Sequence, residues 1–447
     1  MHSLDDLADA LVAAARKAGA DAADAIALRG EDLGVSVREG ALEEAERAES
    51  RDFGLRVFLG RRQACVSASD PRPDVVAALA ERAVAMAREA PEDPWCGLPD
   101  ASELGRPAPA EDLALDDADG PPSPDTLEAM AKEVEAAALA VEGVAQVESA
   151  SASWRRSAVA LAATNGFRGS YVRASASISA SAVAGEGLGM ETDYDYAVRR
   201  RFADLPEAGA IGRSAGERAA ARLGPRKPPT GPATVIFDRR VAPSVIGHLL
   251  GAANGSSVAR GATWLAERMG AQVLPDWADL IEDPLLPGGP ATRPFDGEGV
   301  ASRARPIVEG GVLTRWLLDC ASARKLGLET TGNARRGTAA PPSPGATNVR
   351  LTKGRRSREA LIGEVERGLL VTSMMGSSVN PTTGAYSRGA AGFWIERGEI
   401  IHPVAEATIA GALPEFLLTL EAADDPDPAL AVSVPTLRAE GLVVAGG

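Results

Sequence analysis

The sequence predicts an α+β protein in which two smaller helix–strand units precede a large mixed, β-rich C-terminal domain. Helical periodicity followed by period-two alternation occurs twice in the same order, and a Gly-rich remainder with short alternating segments follows. A chain of 447 residues also exceeds one ordinary core. The predicted domains are residues 1–95, a Pro/Asp-rich linker at 96–123, residues 124–224 and residues 225–447.

The first unit begins with a predicted helix from about Leu4 to Ala18, because Ser3 is a favourable N-cap. A second helical pattern covers Asp74–Ala90. Between them, the period of two predicts antiparallel strands with one buried face. These segments are Ala25–Leu28, Leu33–Arg38 and, after the acidic stretch Ala41–Ser50, Phe53–Leu59. The Pro-, Asp- and Gly-rich segment that follows is expected to pack no core.

The second unit repeats the order helix, strands, helix, which permits a divergent duplication. Its predicted helices are Thr126–Val141 and Ile211–Leu223, with strands at Val144–Ser151, Ser157–Ala163 and Tyr171–Val183. The basic run Arg199–Arg201 is interpreted as a solvated strand end rather than a binding site. The third unit starts with a strand at Ala233–Asp238 and a helix at Val241–Ala253.

Composition excludes several classes of function. The net charge of −15 argues against direct binding to nucleic acid or to an anionic membrane surface. No apolar run approaches the roughly 18 residues that span a bilayer. Three scattered cysteines form neither a disulfide framework nor a CxxC zinc knuckle, and they favour a reducing, cytoplasmic location.

The chain contains three histidines, His2, His248 and His402, and no two are close in sequence. A zinc protease helix carries two histidines and a glutamate about one turn apart. The helix around His248 has Leu249 next to it and an alanine pair at Ala252 and Ala253. We therefore expect no metal site and no catalytic residue in this chain.

Other polar blocks could bind a ligand. Asp296 and Glu298 are two residues apart between glycines, which in an extended segment places both carboxylates on one side; the alternative is an acidic turn. Arg324 could bind a carboxylate as a bidentate fork or could neutralise a helix C-terminus before Gly327. The turn-rich segment Gly376–Gly389 could bind a ligand, or Asn380 could cap its own hairpin turn.

Taken together, several blocks of the C-terminal domain resemble one known family. They are Pro294–Val300, Ser322–Gly327, Thr330–Ala334, Val379–Asn380, Tyr386–Trp394 and Val404–Gly411. These residues resemble the TldD/PmbA family, and the match is close to its PmbA (TldE) branch. An older label for the family is modulator of DNA gyrase.

The resemblance implies a subunit of a metalloprotease that processes unfolded peptides, with roles in peptide maturation. In that family the TldD chain carries a His-Glu-x-x-x-His zinc motif and pairs with the PmbA chain. Here the corresponding helix includes Gly247, His248, Ala252 and Ala253, and it lacks the motif in either register. The zinc is therefore expected in a TldD-like partner, and no cofactor is expected in this chain.

The resemblance also implies a peptide cavity. Asn380, Tyr386 and Arg388 are then candidate groups for binding the peptide backbone, with Arg324 as a carboxylate anchor. Two alternatives remain open at this point. The chain could be a homodimeric peptidase that uses Asp296 and Glu298, or a regulatory binding protein of the gyrase-modulator type.

Overall fold

The N-terminal half of the chain forms one antiparallel sheet of six strands in a computed structural model that describes residues 3–446. The first unit comprises α1 (Leu4–Lys17), β1 (Ala22–Arg38), β2 (Ala41–Leu59), β3 (Arg62–Ala68) and α2 (Pro73–Glu89). The linker contains α3 (Ala101–Leu104). The second unit comprises α4 (Pro124–Leu139), β4 (Val144–Ala163), β5 (Arg168–Ala184), β6 (Glu191–Arg199) and α5 (Ala208–Ala221).

Helix α1 begins where the sequence predicts because its first turn is capped. The Ser3 hydroxyl accepts from the Asp6 N–H, and the Asp6 carboxylate accepts from the Ser3 N–H. This capping box satisfies two donors that would otherwise have no partner at the helix start. Leu7, Leu11 and Ala15 form the buried stripe that faces the sheet. The predicted helix is confirmed.

The strands are longer than predicted. Strand β1 runs unbroken through the two segments that the sequence separates, and β4 does the same in the second unit. The acidic stretch Ala41–Ser50, which was not predicted as a strand, forms the exposed first half of β2. All of these residues except Glu43, which lies at a bulge, pair with β1, for example Ala45 with Val35. Cross-strand pairing therefore overrides the poor strand propensity of the acidic side chains.

The sheet has a symmetrical order, β3-β2-β1-β4-β5-β6. The two predicted units meet through the antiparallel pairing of β1 with β4, so they share one sheet. Helices α1 and α2 cover one half and α4 and α5 the other. The β1 residues that pack in the two helix-covered cores are all at alternate positions, so both helix pairs lie on the same face. They are Ala23, Ala25 and Ala27 in one core and Leu33, Val35 and Val37 in the other. A divergent duplication would produce this arrangement.

The linker at residues 96–123 is mostly irregular, but some of its side chains are buried. Leu113 and Leu115 are 4% and 2% exposed. The Leu115 carbonyl also accepts from the Ala174 N–H of β5. The expectation that this segment packs no core was wrong, because two leucines suffice to fix it although the Pro and Asp residues around them remain irregular.

The C-terminal domain contains a strand ring and a smaller sheet. Its helices are α6 (Ala242–Ala252), α7 (Gly255–Val258), α8 (Cys320–Leu326), α9 (Arg358–Gly363) and α10 (Leu413–Phe416). Its strands are β7 (Gly231–Phe237), β8 (Leu280–Glu282), β9 (Arg305–Glu309), β10 (Val312–Leu313), β11 (Ala334–Arg335), β12 (Ser343–Pro344), β13 (Val349–Leu351), β14 (Arg367–Val379), β15 (Ala385–Glu396), β16 (Glu399–Ala412), β17 (Glu421–Ala422), β18 (Val432–Ser433) and β19 (Leu437–Gly446).

Five long strands close into a ring. The order is β16-β15-β14-β7-β19, and β16 also pairs with β19. Strand β7 is parallel to β14 because the chain between them passes through α6 and the smaller sheet, β10-β9-β8-β13-β18. The largest core joins α6 to the ring, with Val245, Ile246 and Leu249 against Phe237 and other buried ring residues. The mixed, β-rich domain that the sequence predicts is confirmed.

The C-terminal domain packs on the sheet face that the four helices leave free. Asp24 and Arg56 of the sheet form a buried ion pair of 2.5 Å, and Arg336 of the C-terminal domain lies 2.7 Å from the same carboxylate. A Cβ at Gly54 would lie 2.0 Å from the Thr338 carbonyl oxygen. The two halves are thus held by buried charges and by a close backbone approach.

The longest helix of the described residues, α2, has 17 residues. Spanning a bilayer takes about 20 apolar residues in a helix. Within residues 3–446, no helix meets both the length and the apolarity that a membrane span requires.

Candidate functional site

Helix α6 is the helix that the sequence analysis compares with a zinc protease helix and finds to lack the metal ligands. Ala252 and Ala253 are buried in the core of the ring. Gly247 and His248 lie on the other, half-buried side. A Cβ built at Gly247 or Gly251 would meet no atom within 4 Å. This side of α6 therefore borders open space.

Three of the predicted residues meet beside this helix. The rings of His248 and Tyr386 are 5.7 Å apart in an edge-to-face arrangement. Arg388, two residues along β15 on the same face, places Nη1 3.4 Å from the Ser244 hydroxyl. Ser244 and His248 are four residues apart and so share one side of α6. We call Ser244, His248, Tyr386 and Arg388 the α6–β15 cluster.

The electrostatics of the cluster fix its charge state. Burial lowers the pKa of His248, and the neighbouring Arg388 charge lowers it further. Burial raises the pKa of Tyr386 to about 12, although Arg388 acts in the opposite direction. At neutral pH the cluster therefore presents an uncharged imidazole, a protonated phenol and a guanidinium. The His248 Nε2 atom is buried and has no hydrogen-bond partner among the described residues.

Strand β14 has a free edge near the cluster. It pairs with β7 only over Gly368–Val371, whereas its pairing with β15 continues to Val379. Among residues 3–446, no strand covers that second edge beyond Val371. Arg388 ties the end of β14 to the cluster, since its Nε donates to the Gly376 carbonyl at 2.8 Å. Met375, on the same stretch, is 61% exposed.

Asn380 lies at the tip of the β14–β15 hairpin, where its side chain serves the turn. Its carbonyl oxygen accepts from the N–H groups of Thr382 and Thr383 at 2.9 and 3.1 Å. Of the two alternatives from the sequence, the structure therefore shows that Asn380 caps its own hairpin turn. The predicted hairpin is the connection that places Tyr386 and Arg388 on β15.

Asp296 and Glu298 lie elsewhere, buried between the two halves of the protein. The segment is a tight turn rather than an extended strand, because Gly299 adopts φ 86° and its N–H bonds to the Asp296 carbonyl. The Asp296 carboxylate accepts from the N–H groups of Glu298, Val300 and Ala334. Of the two geometries that the sequence leaves open, the structure shows the acidic turn and not the extended segment.

Glu298 contributes to the contact between the two halves. It accepts from the Cys320 N–H at 2.8 Å and lies 3.5 Å from the Arg56 guanidinium. Burial raises the pKa of Glu298 to about 7, with Arg56 lowering it and Asp296 raising it. The residue is 3% exposed, so it has no surface for a ligand.

Arg324 lies in the last turn of α8, which ends at the left-handed Gly327. Its guanidinium donates to the carbonyls of Gly97 and Leu98 at 3.2 and 2.5 Å, and to that of Trp95. The side chain therefore fixes the interdomain linker to the C-terminal domain. Its partners are more than 200 residues away in sequence, which explains why the sequence did not reveal them.

The donor set on α6 does not suit zinc. The helix offers one imidazole, and Arg388 holds a positive charge beside it. Zinc sites use thiolate, imidazole and carboxylate ligands that together offset the charge of the ion. Among the described residues, no group of three or more His, Cys, Asp or Glu side chains is placed to hold a metal. His402 is in β16, with Nδ1 3.0 Å from the Pro403 carbonyl, and His2 lies outside the described residues.

Two residues of interest were missed in the sequence. Ser244 precedes His248 by one helical turn, so helical spacing alone could have identified it. Arg200 was interpreted as part of a solvated strand end, which was wrong. Its guanidinium is largely buried and bonds to three carbonyls, those of Ala174, Gly289 and Pro290. No local sequence signal indicated that the loop containing Gly289 and Pro290, in the C-terminal domain, would cover Arg200.

Three domain models of one family match the chain in succession. PmbA/TldA metallopeptidase domain 1 matches residues 23–87, the central domain matches 117–223 and the C-terminal domain matches 230–446. A protein named Metalloprotease PmbA, from Escherichia coli O157:H7, is 37% identical over 396 residues. That alignment covers 89% of this chain and 86% of the relative.

Solved structures share the whole fold. A Bacteroides thetaiotaomicron protein described as a modulator of DNA gyrase superposes with a TM-score of 0.90 at 26% identity, covering 99% of this chain and 98% of that one. TldE from Thermococcus kodakarensis superposes with a TM-score of 0.85, covering 98% and 100%. At 23% identity, the second likeness concerns the fold alone.

Proposed function

This chain belongs to the PmbA/TldA metallopeptidase family, and on that premise we propose that it holds unfolded peptides for a zinc-bearing, TldD-like partner. The α6–β15 cluster carries the proposal. It sits on the helix where a protease of this family would need its ligands, yet it offers one neutral imidazole and one cation. Such a set binds polar groups and does not activate water on a metal.

The surroundings of the cluster suit an extended peptide. The uncovered edge of β14 beyond Val371 offers unpaired backbone groups, and an added strand is a common way to bind unfolded peptide. Arg388 reaches both this strand and α6, so a peptide on the edge would run past its guanidinium.

The cutting step is assigned to the partner in this proposal. The family resemblance places a His-Glu-x-x-x-His helix in TldD-like chains, and the heterodimer would combine that helix with the peptide surface described above. The three free cysteines and the net charge of −15 support a cytoplasmic complex that does not contact nucleic acid directly. An independent homodimeric peptidase based on Asp296 and Glu298 has no structural support, since both carboxylates are buried and bonded to backbone.

Kinetics of the mixture test the holding role. The chain is combined with a relative that has an intact zinc motif, and cleavage of an unstructured peptide is followed. Arg388→Gln is expected to raise KM about tenfold with little change in kcat, because it removes a binding interaction made equally in the ground and transition states. Arg388→Lys, which keeps the charge, should recover part of the loss.

Arg397→Gln serves as the matched control, because Arg397 is exposed at the far end of the same strand pair. It should leave KM unchanged. A KM for Arg388→Gln within twofold of the parent value would contradict the proposed role of the cluster. A fall in kcat alone would contradict it as well, since that would place Arg388 in the chemical step.

A further inference from the structure

Arg200 lies in the crevice between the N-terminal sheet and the C-terminal domain. Its Nη1 donates to the Ala174 carbonyl at 3.0 Å, and its Nη2 donates to the carbonyls of Gly289 and Pro290, each at 2.7 Å. Carbonyl oxygens orient the guanidinium without neutralising its charge. Burial, and to a lesser extent the charge of Arg173, lower the pKa of Arg200 to about 10.

A cleft of about 450 Å³ opens beside this residue. Its charged lining consists of one acid, Asp204, and four arginines, Arg155, Arg173, Arg199 and Arg200. Arg155 already pairs with Asp32 at 2.5 Å. The side chain of Arg173 is exposed and makes no hydrogen bond or ion pair within residues 3–446. Two like charges that face one cleft without a counter-ion indicate a place for an anionic ligand.

The cleft continues along the outermost strand. A neighbouring cleft of about 310 Å³ shares four lining residues with the first, namely Val198, Arg199, Pro290 and Ala429. It exposes Tyr194 and Tyr196, which are 50% and 46% exposed and stacked with centroids 6.1 Å apart. Together with Val198, at 38% exposed, they form a row of every second residue on β6.

We propose that this groove, from Arg173 and Arg200 to Tyr194, binds an acidic segment of a peptide. Carboxylate side chains would lie at the arginine end, where the free guanidinium of Arg173 can form paired hydrogen bonds with them and Arg200 adds its charge. Apolar side chains would lie on the tyrosine row. The inference rests on the proposed peptide-holding role and adds a preference for acidic sequence to it.

Spacing and charge favour a peptide over other anions. Alternate side chains of an extended peptide recur about every 6.6 Å, which is comparable to the spacing of the Tyr194, Tyr196 and Val198 row. A nucleic acid carries a dense line of phosphates, which the net charge of −15 on this protein repels. A peptide with a few carboxylates can bind the local arginines with much less repulsion from the net negative charge.

Binding to the isolated full chain tests the inference. The probe is a fluorescein-labelled, unstructured peptide that contains two aromatic residues and three glutamates. A second peptide, with glutamines in place of the glutamates, is the reference. Anisotropy at low salt should show about tenfold tighter binding of the glutamate peptide. Arg173→Gln should remove most of that preference, and this variant is expected to fold because the Arg173 side chain is exposed and bonds to no other side chain or carbonyl within residues 3–446.

Arg213→Gln is the control, because Arg213 is an exposed arginine on α5, on the opposite face of the sheet. It should keep the preference. Equal binding of the two peptides by the parent chain would overturn the inference, as would an equal loss in both variants or competition by a DNA oligonucleotide at the same salt. The binding assay uses the isolated chain, whereas the cleavage assay needs the zinc-bearing partner. The two proposals can therefore fail independently of each other.

Discussion

At the scale of single residues, the candidates from the sequence do not form one site. His248, Tyr386 and Arg388 converge at α6, although almost 140 residues separate the first from the other two. Asp296 and Glu298 fold into a buried turn. The sequence identified polar residues in unusual contexts, but it contained no information on which of them would be buried, because burial depends on packing of distant segments.

Glu298 gives a pH-dependent prediction. Its folded pKa of about 7 lies above the unfolded value of about 4.3, so its contribution to stability is fully present below pH 4.3 and is lost as the pH rises through 7. The loss is on the order of 3 kcal/mol. As the pH rises from 5 to 8, the thermal unfolding midpoint should therefore fall more steeply for the parent chain than for Glu298→Gln.

The exposed Glu399 provides the comparison. Glu399→Gln should leave the slope of the midpoint against pH as it is in the parent. Identical slopes for the parent and Glu298→Gln would show that the buried carboxyl does not take up a proton in this range.

At the scale of elements, helices were easier to predict than strands. Helix α1 begins after the predicted cap Ser3, and α4 begins after Ser123, two residues before the predicted start at Thr126. Strand β1 joins two segments that the sequence separates, and Ala41–Ser50 became part of β2 although it is acidic. Strand length here depends on the partner strand, and that partner is not local in sequence.

Gly54 in β2 provides a test of how the sheet contacts the C-terminal domain. Gly54→Ala places a methyl group against the backbone of Thr338, which cannot move without shifting the domain interface. The expected cost is about 2 kcal/mol, seen as a lower thermal midpoint. Gly34→Ala, in the neighbouring β1, meets open space and should be close to neutral. Equal midpoints for the two variants would be inconsistent with the close approach at Thr338.

At the scale of the whole molecule, the main surprise is that the two N-terminal units share one sheet. Repetition of helix, strands and helix suggested related units, but the pairing of β1 with β4 is a contact between units and left no local pattern. The same limit applies to the crevice at Arg200, which exists because a C-terminal loop covers the end of β6. Family resemblance supplied the functional expectation, and the structure supplies the surfaces on which it can be tested.

The central claim is that this chain holds peptide but does not cut it. The direct measurement is zinc content together with peptide cleavage, for the chain alone and for its mixture with a relative that has an intact zinc motif. We expect no stoichiometric zinc and no cleavage for the isolated chain, and chelator-sensitive cleavage for the mixture. One zinc ion bound per isolated chain, with cleavage that a chelator abolishes, would contradict it.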